Sequence, residues 1–396
     1  MRHIDKSCLK LRALWRLAPL VGLLLLFALL APACSSGGST GSSASGGTGL
    51  LRGIFDDAWL KTGGSERAAI LKSMATGLHV QVVRMDLRWS LAEPQAAGRY
   101  DTTYLGNLEA AATAARQAGM RVMIDVFGVP AWASDRTYWT APPAGYKKGY
   151  QSFYPVAAAH LKDWQATAGY LARLFKGKVS WWECWNEPNM WLYMYPQTKA
   201  GEPMFSAEQY VKLLKAFSTA VHGADPAAKV LGGVTAPFGT DNQLRTSPQT
   251  FLSNLKVLGA AKWWDGISHH PYTPAGVMPM PKPLAKPQFP ELTVTLGNIQ
   301  TLLKMFPNEP FYLTEYGYPT QASVAWGSGH VSESQQARYL TTAYRYVAGL
   351  KQVKLLSWFL WKDIDVGADN PGSAFFGLLR ADGTRKPSWW AYARLP

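Results

Sequence analysis

Residues 179–189 read Val-Ser-Trp-Trp-Glu-Cys-Trp-Asn-Glu-Pro-Asn, a short apolar run that ends abruptly at a proline. Apolar and aromatic residues in such a run are typical of a β-strand that is buried in a sheet. Pro188 cannot donate a backbone hydrogen bond and stops the strand, so Glu187 is predicted at its carboxyl end. The stretch therefore predicts a buried strand that carries an acidic side chain to the rim of a sheet.

Similar apolar runs recur along the chain and are separated by longer segments with helical periodicity. The eight predicted strands are 53–55, 80–87, 121–127, 179–185, 230–234, 266–269, 311–315 and 355–359. The predicted helices include 104–117, 162–176, 207–221, 292–305 and 333–350. Eight strands that alternate with helices predict an α/β fold, the parallel (β/α)8 TIM barrel. A doubly wound open sheet is the alternative, but the sequence lacks the Gly-rich phosphate turn that usually follows an early strand there.

The first 34 residues predict a lipoprotein-type signal peptide rather than part of the fold. A basic stretch to Arg16 precedes the apolar run 20–31, which is short for a membrane span. Small residues then lead to Cys34, in a pattern that resembles the lipobox of bacterial lipoproteins, where the cysteine is acylated. We expect an extracytoplasmic protein that Cys34 anchors to a membrane. Pro32 is unusual in a lipobox, so full secretion is the alternative.

Residues 35–50 consist almost entirely of Ser, Gly, Ala and Thr. This composition predicts a flexible linker with an r.m.s. reach of about 20 Å, followed by a single folded domain at 51–396. Of the three cysteines only Cys184 falls in that domain, so the sequence predicts neither an internal disulfide nor a cysteine-based zinc site.

The formal net charge of +14 bears on the choice of partner. An excess of positive charge is compatible with binding to nucleic acid, to an anionic cell envelope or to an acidic polysaccharide. The sequence has no cluster of five or more Lys and Arg and no nucleic-acid-binding motif, so we expect no nucleic-acid partner. A merely basic surface is an equal alternative, and we expect a monomer.

The longest connections follow predicted strands and are rich in aromatic residues and proline. They are 133–157, 189–206, 271–291 and 362–376. In a (β/α)8 barrel such connections stand at the carboxyl-end face, where the active sites of these proteins lie. We expect them to form the walls of a binding cleft.

A second acidic residue ends another predicted strand at the same rim. Glu315 lies in Tyr-Leu-Thr-Glu-Tyr at 312–316, the end of the seventh strand, and Glu187 ends the fourth. Strands four and seven lie across a barrel from each other, so both carboxylates are predicted to point into its mouth. Cleavage of a glycosidic bond requires two carboxyl groups that flank one carbon, and a separation of about 5 Å implies retention through a covalent intermediate.

The two motifs together resemble clan A glycoside hydrolases. Trp-Glu-x-Trp-Asn-Glu-Pro-Asn at 182–189 and Thr-Glu-Tyr-Gly at 314–317 are most similar to family 39, with family 5 next. The resemblance covers about residues 51–396. It implies a retaining O-glycoside hydrolase with Glu187 as the acid/base and Glu315 as the nucleophile, and it implies no metal or organic cofactor. We expect the carbohydrate substrate to be a polysaccharide or oligosaccharide, β-linked and cleaved internally.

The resemblance also implies supporting roles for neighbouring residues. Ser-His-His-Pro-Tyr at 268–272 is similar to the sixth-strand His-x-Tyr element of these enzymes. Tyr272 is expected to hydrogen-bond the nucleophile, and His270 to line the sugar site. Arg84, on the second strand, is expected to stabilise the ionised nucleophile. A structural ion pair of Arg84 with Glu183 or Asp86 is the alternative.

Three further residues are candidates for contact with a sugar. Asn186 is expected to bond the sugar 2-hydroxyl, as in the family. Trp132 and Trp361 are candidates for stacking on a sugar ring, although a single tryptophan belongs to a core more often than to a platform. His269 and His270 could bind a metal as a pair, but strand alternation places their side chains on opposite faces, which argues against shared ligation.

Other functions are compatible with parts of the same pattern. An exo-acting β-xylosidase-like enzyme would need a blind pocket, and a transglycosylase would use the same carboxylates with a different acceptor. A non-catalytic glycan-binding lipoprotein would be expected to lack a catalytic carboxylate, and both are present. A metal-dependent barrel hydrolase would need a His-x-His on the first strand, which residues 53–57 do not contain.

Overall fold

The computed structural model describes residues 49–55, 57, 63–274, 278–367 and 370–396. The predicted signal peptide with Cys34 lies outside these residues, as does the predicted linker up to residue 48. Those assignments therefore stay predictions. Within the described part of the chain, no helix is long and apolar enough to cross a membrane.

Eight parallel strands close into a barrel in chain order. They are β1 Leu51–Phe55, β2 Val82–Arg88, β3 Arg121–Phe127, β4 Val179–Cys184, β5 Lys229–Thr235, β6 Gly266–His269, β7 Phe311–Tyr316 and β8 Val353–Phe359. The pairing of β1 with β8 completes the cylinder and leaves no open sheet edge. The (β/α)8 TIM barrel is thereby confirmed, and the doubly wound sheet is excluded.

Helices lie between successive strands and after the last one. They are α1 Gly64–Gly77, α2 Trp89–Ala92, α3 Thr102–Gln117, α4 Leu161–Leu174, α5 Phe205–Ala224, α6 Pro248–Val257, α7 Gln300–Met305, α8 Glu333–Ala348 and α9 Pro387–Ala393. Several begin at a side-chain cap: the Asp101 carboxylate accepts from the Tyr104 amide, and Ser332 and Gln335 form a capping box.

The predicted helix at 292–305 is shorter in the structure. Thr295 and Asn298 form a capping box that starts a 3-10 turn at Leu296–Asn298, and α7 begins only at Gln300. The cap satisfies the first backbone amides at residue 295, so the chain before it is not helical.

The interior of the barrel is apolar near the amino-terminal ends of the strands. Its side chains form one cluster, Val82, Met123, Trp181, Leu231, Tyr312 and Leu355. One layer nearer the carboxyl ends, the register pairs Asp86 with Asp125 and Asp125 with Glu183, so these three side chains lie on the same face of the sheet. The polar part of the barrel is therefore at the carboxyl-end face, where the predicted site lies.

Candidate active site

Glu187 is presented by a tight turn at the end of β4. The strand ends at Cys184, one residue earlier than predicted. Trp185 and Glu187 follow with positive φ angles of 72° and 39°. Non-glycine residues adopt this left-handed backbone at a cost of about 1 kcal/mol or more, and such residues concentrate at functional sites. The turn places the Glu187 side chain on the cavity that opens at the barrel mouth.

Glu315 lies within β7 and is 7% exposed. Its two oxygens have different donors: Arg84 Nη1 is 2.9 Å from Oε1, and the Tyr272 hydroxyl donates to Oε2 at 3.0 Å. The contacts predicted from the sequence for Arg84 and Tyr272 are therefore both present. Two donors, one of them charged, thus fix the orientation of the Glu315 carboxylate.

The two acidic side chains meet at His270, which is fully buried. Its Nδ1 lies 3.0 Å from Glu187 Oε1 and 3.8 Å from Glu315 Oε1. These two oxygens are consequently no more than about 7 Å apart, a bound that accommodates the separation of about 5 Å found in retaining pairs and places both carboxyl groups within reach of one bond. Burial opposes the charged form of His270, but Glu315 and Glu187 outweigh it and raise the pKa of the imidazole.

Arg84 is at the centre of a buried polar network. Besides Glu315, its guanidinium contacts Glu183, Asp125 at 3.1 Å and Asp86 at 3.2 Å. The contacts named in both interpretations of Arg84 are therefore present, because the same guanidinium binds Glu315 and the neighbouring carboxylates. Burial disfavours the cation, yet the surrounding carboxylates, Glu183 foremost, hold the pKa of Arg84 well above its ordinary value.

The carboxylates around Arg84 have pKa values that are shifted in different directions. Burial raises the pKa of Asp125 well above its ordinary value against the pull of Arg84, and burial raises the pKa of Asp86 to about 6. For Glu183 burial acts in the same direction, but Arg84 outweighs it and the pKa is lowered. A single guanidinium faces four carboxylates here, so burial dominates the pKa of Asp125, whereas the contact with Arg84 dominates that of Glu183.

Asn186 and the two histidines complete the network. The Asn186 amide oxygen accepts from Arg84 Nη2 at 3.1 Å, which fixes that side chain beside Glu187. His269 is turned away, toward the Thr235 hydroxyl and the Val294 carbonyl, so adjacent histidines have different partners, as strand alternation predicts. Among the described residues, no group of three or more His, Cys, Asp or Glu has an arrangement suited to a metal ion.

The carboxylates open onto a cavity of about 730 Å³. Its lining includes Tyr193 from the connection after β4, Phe238 from that after β5, and Trp326 from that after β7. The Trp326 ring lies 5.8 Å from the Tyr272 ring and 4.7 Å from the Phe376 ring. An aromatic platform thus stands beside the Tyr272–Glu315 pair.

The two tryptophans proposed from the sequence lie elsewhere. Trp361 is 5% exposed and packs on Trp389 of α9, with ring centroids 5.2 Å apart. Trp132 donates from its indole nitrogen to the Glu93 carbonyl at 2.8 Å. Neither is among the described residues that line the cavity.

Trp326 was not selected from the sequence. It lies in Val-Ala-Trp-Gly-Ser-Gly at 324–329, a lone aromatic residue in a Gly- and Ser-rich loop after the seventh strand. This position could have identified Trp326 as a candidate for sugar contact, because a Gly- and Ser-rich loop has few apolar side chains against which a tryptophan could be buried.

One of the four aromatic connections that were expected to line the cavity, 133–157, does not do so. In 133–157, the side chains of Trp139, Phe153 and Tyr154 cluster with Trp191 and Tyr195 instead. No described residue of that connection lines the cavity, whereas 189–206 contributes Met190, Leu192 and Tyr193. The reason is that aromatic rings on adjacent loops bury more apolar surface against one another than against an open cleft.

Residues 40–362 match the family model described as cellulase, glycosyl hydrolase family 5. The chain belongs to glycoside hydrolase family 5. This family 5 protein is therefore a glycosidase, a retaining glycoside hydrolase of clan A. The sequence motifs placed family 39 first and family 5 second within the same clan. No curated protein sequence matches the chain.

Solved structures of other glycosidases share the fold. A family 39 glycoside hydrolase from the gut symbiont Bacteroides cellulosilyticus WH2 has 20% identity and a TM-score of 0.61 over 87% of this chain and 63% of its own. A monomeric β-xylosidase from Caulobacter crescentus CB15 has 22% identity and a TM-score of 0.61, over 88% and 68%. An exo-β-1,4-mannosidase from Opitutaceae bacterium strain TAV5 has 17% identity and a TM-score of 0.57, over 87% and 58%. The family 5 protein thus spans less than two thirds of the first and third of these chains.

Proposed function

We propose that this family 5 hydrolase cleaves β-linked polysaccharides or oligosaccharides internally, with Glu315 as the nucleophile and Glu187 as the acid/base. The observation that carries the proposal is the meeting of the two carboxylates at one cavity, each in contact distance of His270. Arg84 and Tyr272 donate to the two oxygens of Glu315 and hold its carboxylate in place for attack.

The first step forms a covalent glycosyl-enzyme. Glu315 attacks the anomeric carbon while Glu187 gives its proton to the glycosidic oxygen, so that the bond to the leaving sugar breaks as the ester bond forms. The ester removes the negative charge of Glu315 from beside Glu187. Having given its proton to the leaving sugar, Glu187 is now the carboxylate that the second step requires.

The second step hydrolyses the intermediate. Glu187 takes a proton from water, the oxygen of that water attacks the anomeric carbon, and Glu315 leaves as a carboxylate with its donors Arg84 and Tyr272 in place. Two inversions at one carbon give retention. His270, which contacts both carboxylates, positions Glu187 through both steps.

Internal cleavage is favoured by the position of the connection 133–157. Had it closed one end of the cavity, a blind pocket for exo-action would result. Its described residues instead line a separate cavity of about 420 Å³ together with residues of α5, such as Phe205 and Leu213. The similar β-xylosidase and exo-β-1,4-mannosidase make exo-action the alternative. A transglycosylase would share Glu187 and Glu315 and differ in its acceptor.

We further propose that the enzyme works outside the cytoplasm as a lipoprotein attached through Cys34. The basic and apolar leader, the small residues before that cysteine and the Ser- and Gly-rich stretch after it support this. Membrane fractionation of the full chain and of Cys34→Ala tests it. We expect the wild type in the membrane fraction and the variant in the soluble one; equal distribution would contradict lipid attachment.

The experiment that tests the proposed function is incubation with a broad panel of neutral and acidic β-glycans, with product sizing and anomer NMR. We expect a ladder of oligosaccharides of intermediate length and first-formed products with the anomeric configuration of the substrate. Release of single sugars from one end would favour exo-action. Binding without any product, under conditions in which Glu315→Ala behaves like the wild type, would support the glycan-binding alternative and contradict the proposal.

A further inference from the structure

Arg88, the last residue of β2, lines the same cavity as Glu187 and Glu315. Of the described residues that line this cavity, Arg88 is the one with a positive charge. Its side chain is exposed at the end of the strand. A cation thus stands within the cleft, although neither proposed catalytic carboxylate is its hydrogen-bond partner.

The nearby acids are already engaged by another arginine. Asp86, two residues earlier on the same strand, and Glu315 both bind the guanidinium of Arg84. Within the described part of the chain, the Arg88 side chain has no ion-pair partner; its backbone amide donates to the Tyr104 hydroxyl. An arginine without an ion-pair partner among the described residues is available to a ligand.

The Arg88 side chain is also held in place. Its guanidinium carbon lies 5.7 Å from the centre of the Phe127 ring, and that ring packs edge-on against Tyr193 at 5.6 Å. A guanidinium that rests on an aromatic face keeps its N–H donors at its rim, in the fork that suits a planar anion. Because the group is already oriented, less side-chain entropy is lost when it binds.

We propose that Arg88 binds the carboxylate of a uronic acid unit in the glycan that occupies the cleft, so that the enzyme acts on an acidic polysaccharide. This inference rests on the proposed function, because it needs a glycan beside Glu187 and Glu315. A carboxylate matches the guanidinium fork with two parallel hydrogen bonds, which a neutral hydroxyl does not. The net charge of +14 adds long-range attraction for a polyanion.

The test compares one polymer in two forms. A glucuronic-acid-containing β-glycan cleaved in the panel is treated with carbodiimide and borohydride, which reduces its carboxylates to neutral hydroxymethyl groups. We expect wild-type kcat/KM to fall by about 10- to 100-fold on the reduced polymer. Arg88→Gln should act on both forms equally, at the rate of the wild type on the reduced form. The KM for the acidic form should rise with NaCl in the wild type and much less in the variant.

Arg136→Gln is the matched control. Arg136 is likewise exposed, with its guanidinium carbon 5.3 Å from the centre of the Trp139 ring, but it is not among the described residues that line the cavity. This variant removes the same charge and should keep the full preference for the acidic polymer.

Several results would overturn the inference while leaving the proposed function standing. They are cleavage of neutral glycans alone, an equal loss for Arg88→Gln on both forms of the polymer, and an Arg88-dependent preference for a sulfated glycan over a carboxylated one. Absence of cleavage of every glycan in the panel would instead overturn the proposed function itself, and with it the role of Arg88.

Discussion

The hydroxyl of Tyr272 donates a hydrogen bond of 3.0 Å to Oε2 of Glu315. Tyr272 comes from the connection after β6, and Glu315 from β7, so the bond joins two neighbouring parts of the barrel rim. Burial, together with the charge of Glu315, raises the pKa of Tyr272 well above its ordinary value. The phenol therefore stays protonated over the working range and remains a donor to the carboxylate.

Removal of this donor should impair catalysis. We expect Tyr272→Phe to lower kcat/KM by about 10- to 100-fold, because a hydrogen bond to a charged group contributes about 1.5–3 kcal/mol. Tyr318→Phe is the control, since the Tyr318 hydroxyl bonds the Pro281 carbonyl rather than Glu315. Steady-state kinetics on an aryl glycoside of the sugar found in the panel measures both. Equal losses in the two variants would count against a specific role for Tyr272.

Substitution of the proposed acid should have an effect that depends on the leaving group. In Glu187→Gln the side chain cannot donate a proton, so natural glycosides with poor leaving groups should lose at least about 1000-fold in kcat/KM. Activated aryl glycosides, which depart without protonation, should lose far less in the first step. A series of aryl glycosides of graded phenol acidity measures this. The same loss for every leaving group would contradict an acid role for Glu187.

Trp326 and Trp361 should respond oppositely to truncation. Trp326→Ala removes an aromatic wall of the cavity and should raise KM about 3- to 10-fold with little change in the melting temperature. Trp361→Ala opens a cavity against Trp389 and should cost about 3–5 kcal/mol of unfolding free energy, while the folded fraction keeps its KM. Kinetics and denaturant unfolding of both variants measure this. The reverse pattern would restore Trp361 as the sugar platform.

His269 should make the fold sensitive to acid. Burial lowers its pKa to about 3, whereas in the unfolded chain it is about 6.5. As pH falls below 6.5 the unfolded state gains a proton that the folded state does not, so stability is lost from pH 6.5 down to about 3, at up to 1.4 kcal/mol per unit. The contribution between pH 7 and pH 5 is about 2 kcal/mol.

Urea unfolding at pH 7 and pH 5 measures the effect. His269→Gln should be less stable than the wild type at pH 7, because its bonds to Thr235 and Val294 are perturbed, but its stability should change less on acidification. His330→Gln, on the loop after β7, should keep the wild-type pH dependence. If His269→Gln and the wild type lost equal stability, the buried imidazole would not be the cause.

The parts of the fold that the sequence predicts are those with a local signal. The strands at 121–127 and 266–269 have the predicted bounds. The first is a mostly apolar run that follows a turn at Gly119. Glu187 and Glu315 could be placed at the rim since each ends such a run. β4 ends at Cys184, one residue before the predicted end. The left-handed backbone at Trp185 depends on the turn that follows, not on the apolar sequence of the strand.

The missed features depend on contacts between distant residues. The position of Trp361 after β8 predicts a ring that stacks on a sugar. In the fold this ring is instead covered by Trp389 of α9. The sequence named Glu315, Glu183 and Asp86 as partners of Arg84 but not Asp125, which reaches the guanidinium only through the pairing of β3 with its neighbouring strands. Local sequence patterns thus predict which residues lie at the rim of the barrel. The exposure of a side chain there, and the pKa of an acidic one, depend on neighbours from other strands and helices.

The most direct test of the central claim is azide rescue of Glu315→Ala, with an activated aryl glycoside as substrate. Without azide we expect turnover to fall by at least about 10000-fold, because the covalent step is lost. With azide, the small anion occupies the space of the missing carboxylate, and NMR should show a glycosyl azide of inverted anomeric configuration. Unchanged turnover in Glu315→Ala, or rescue that yields a product of retained configuration, would contradict Glu315 as the nucleophile opposite Glu187.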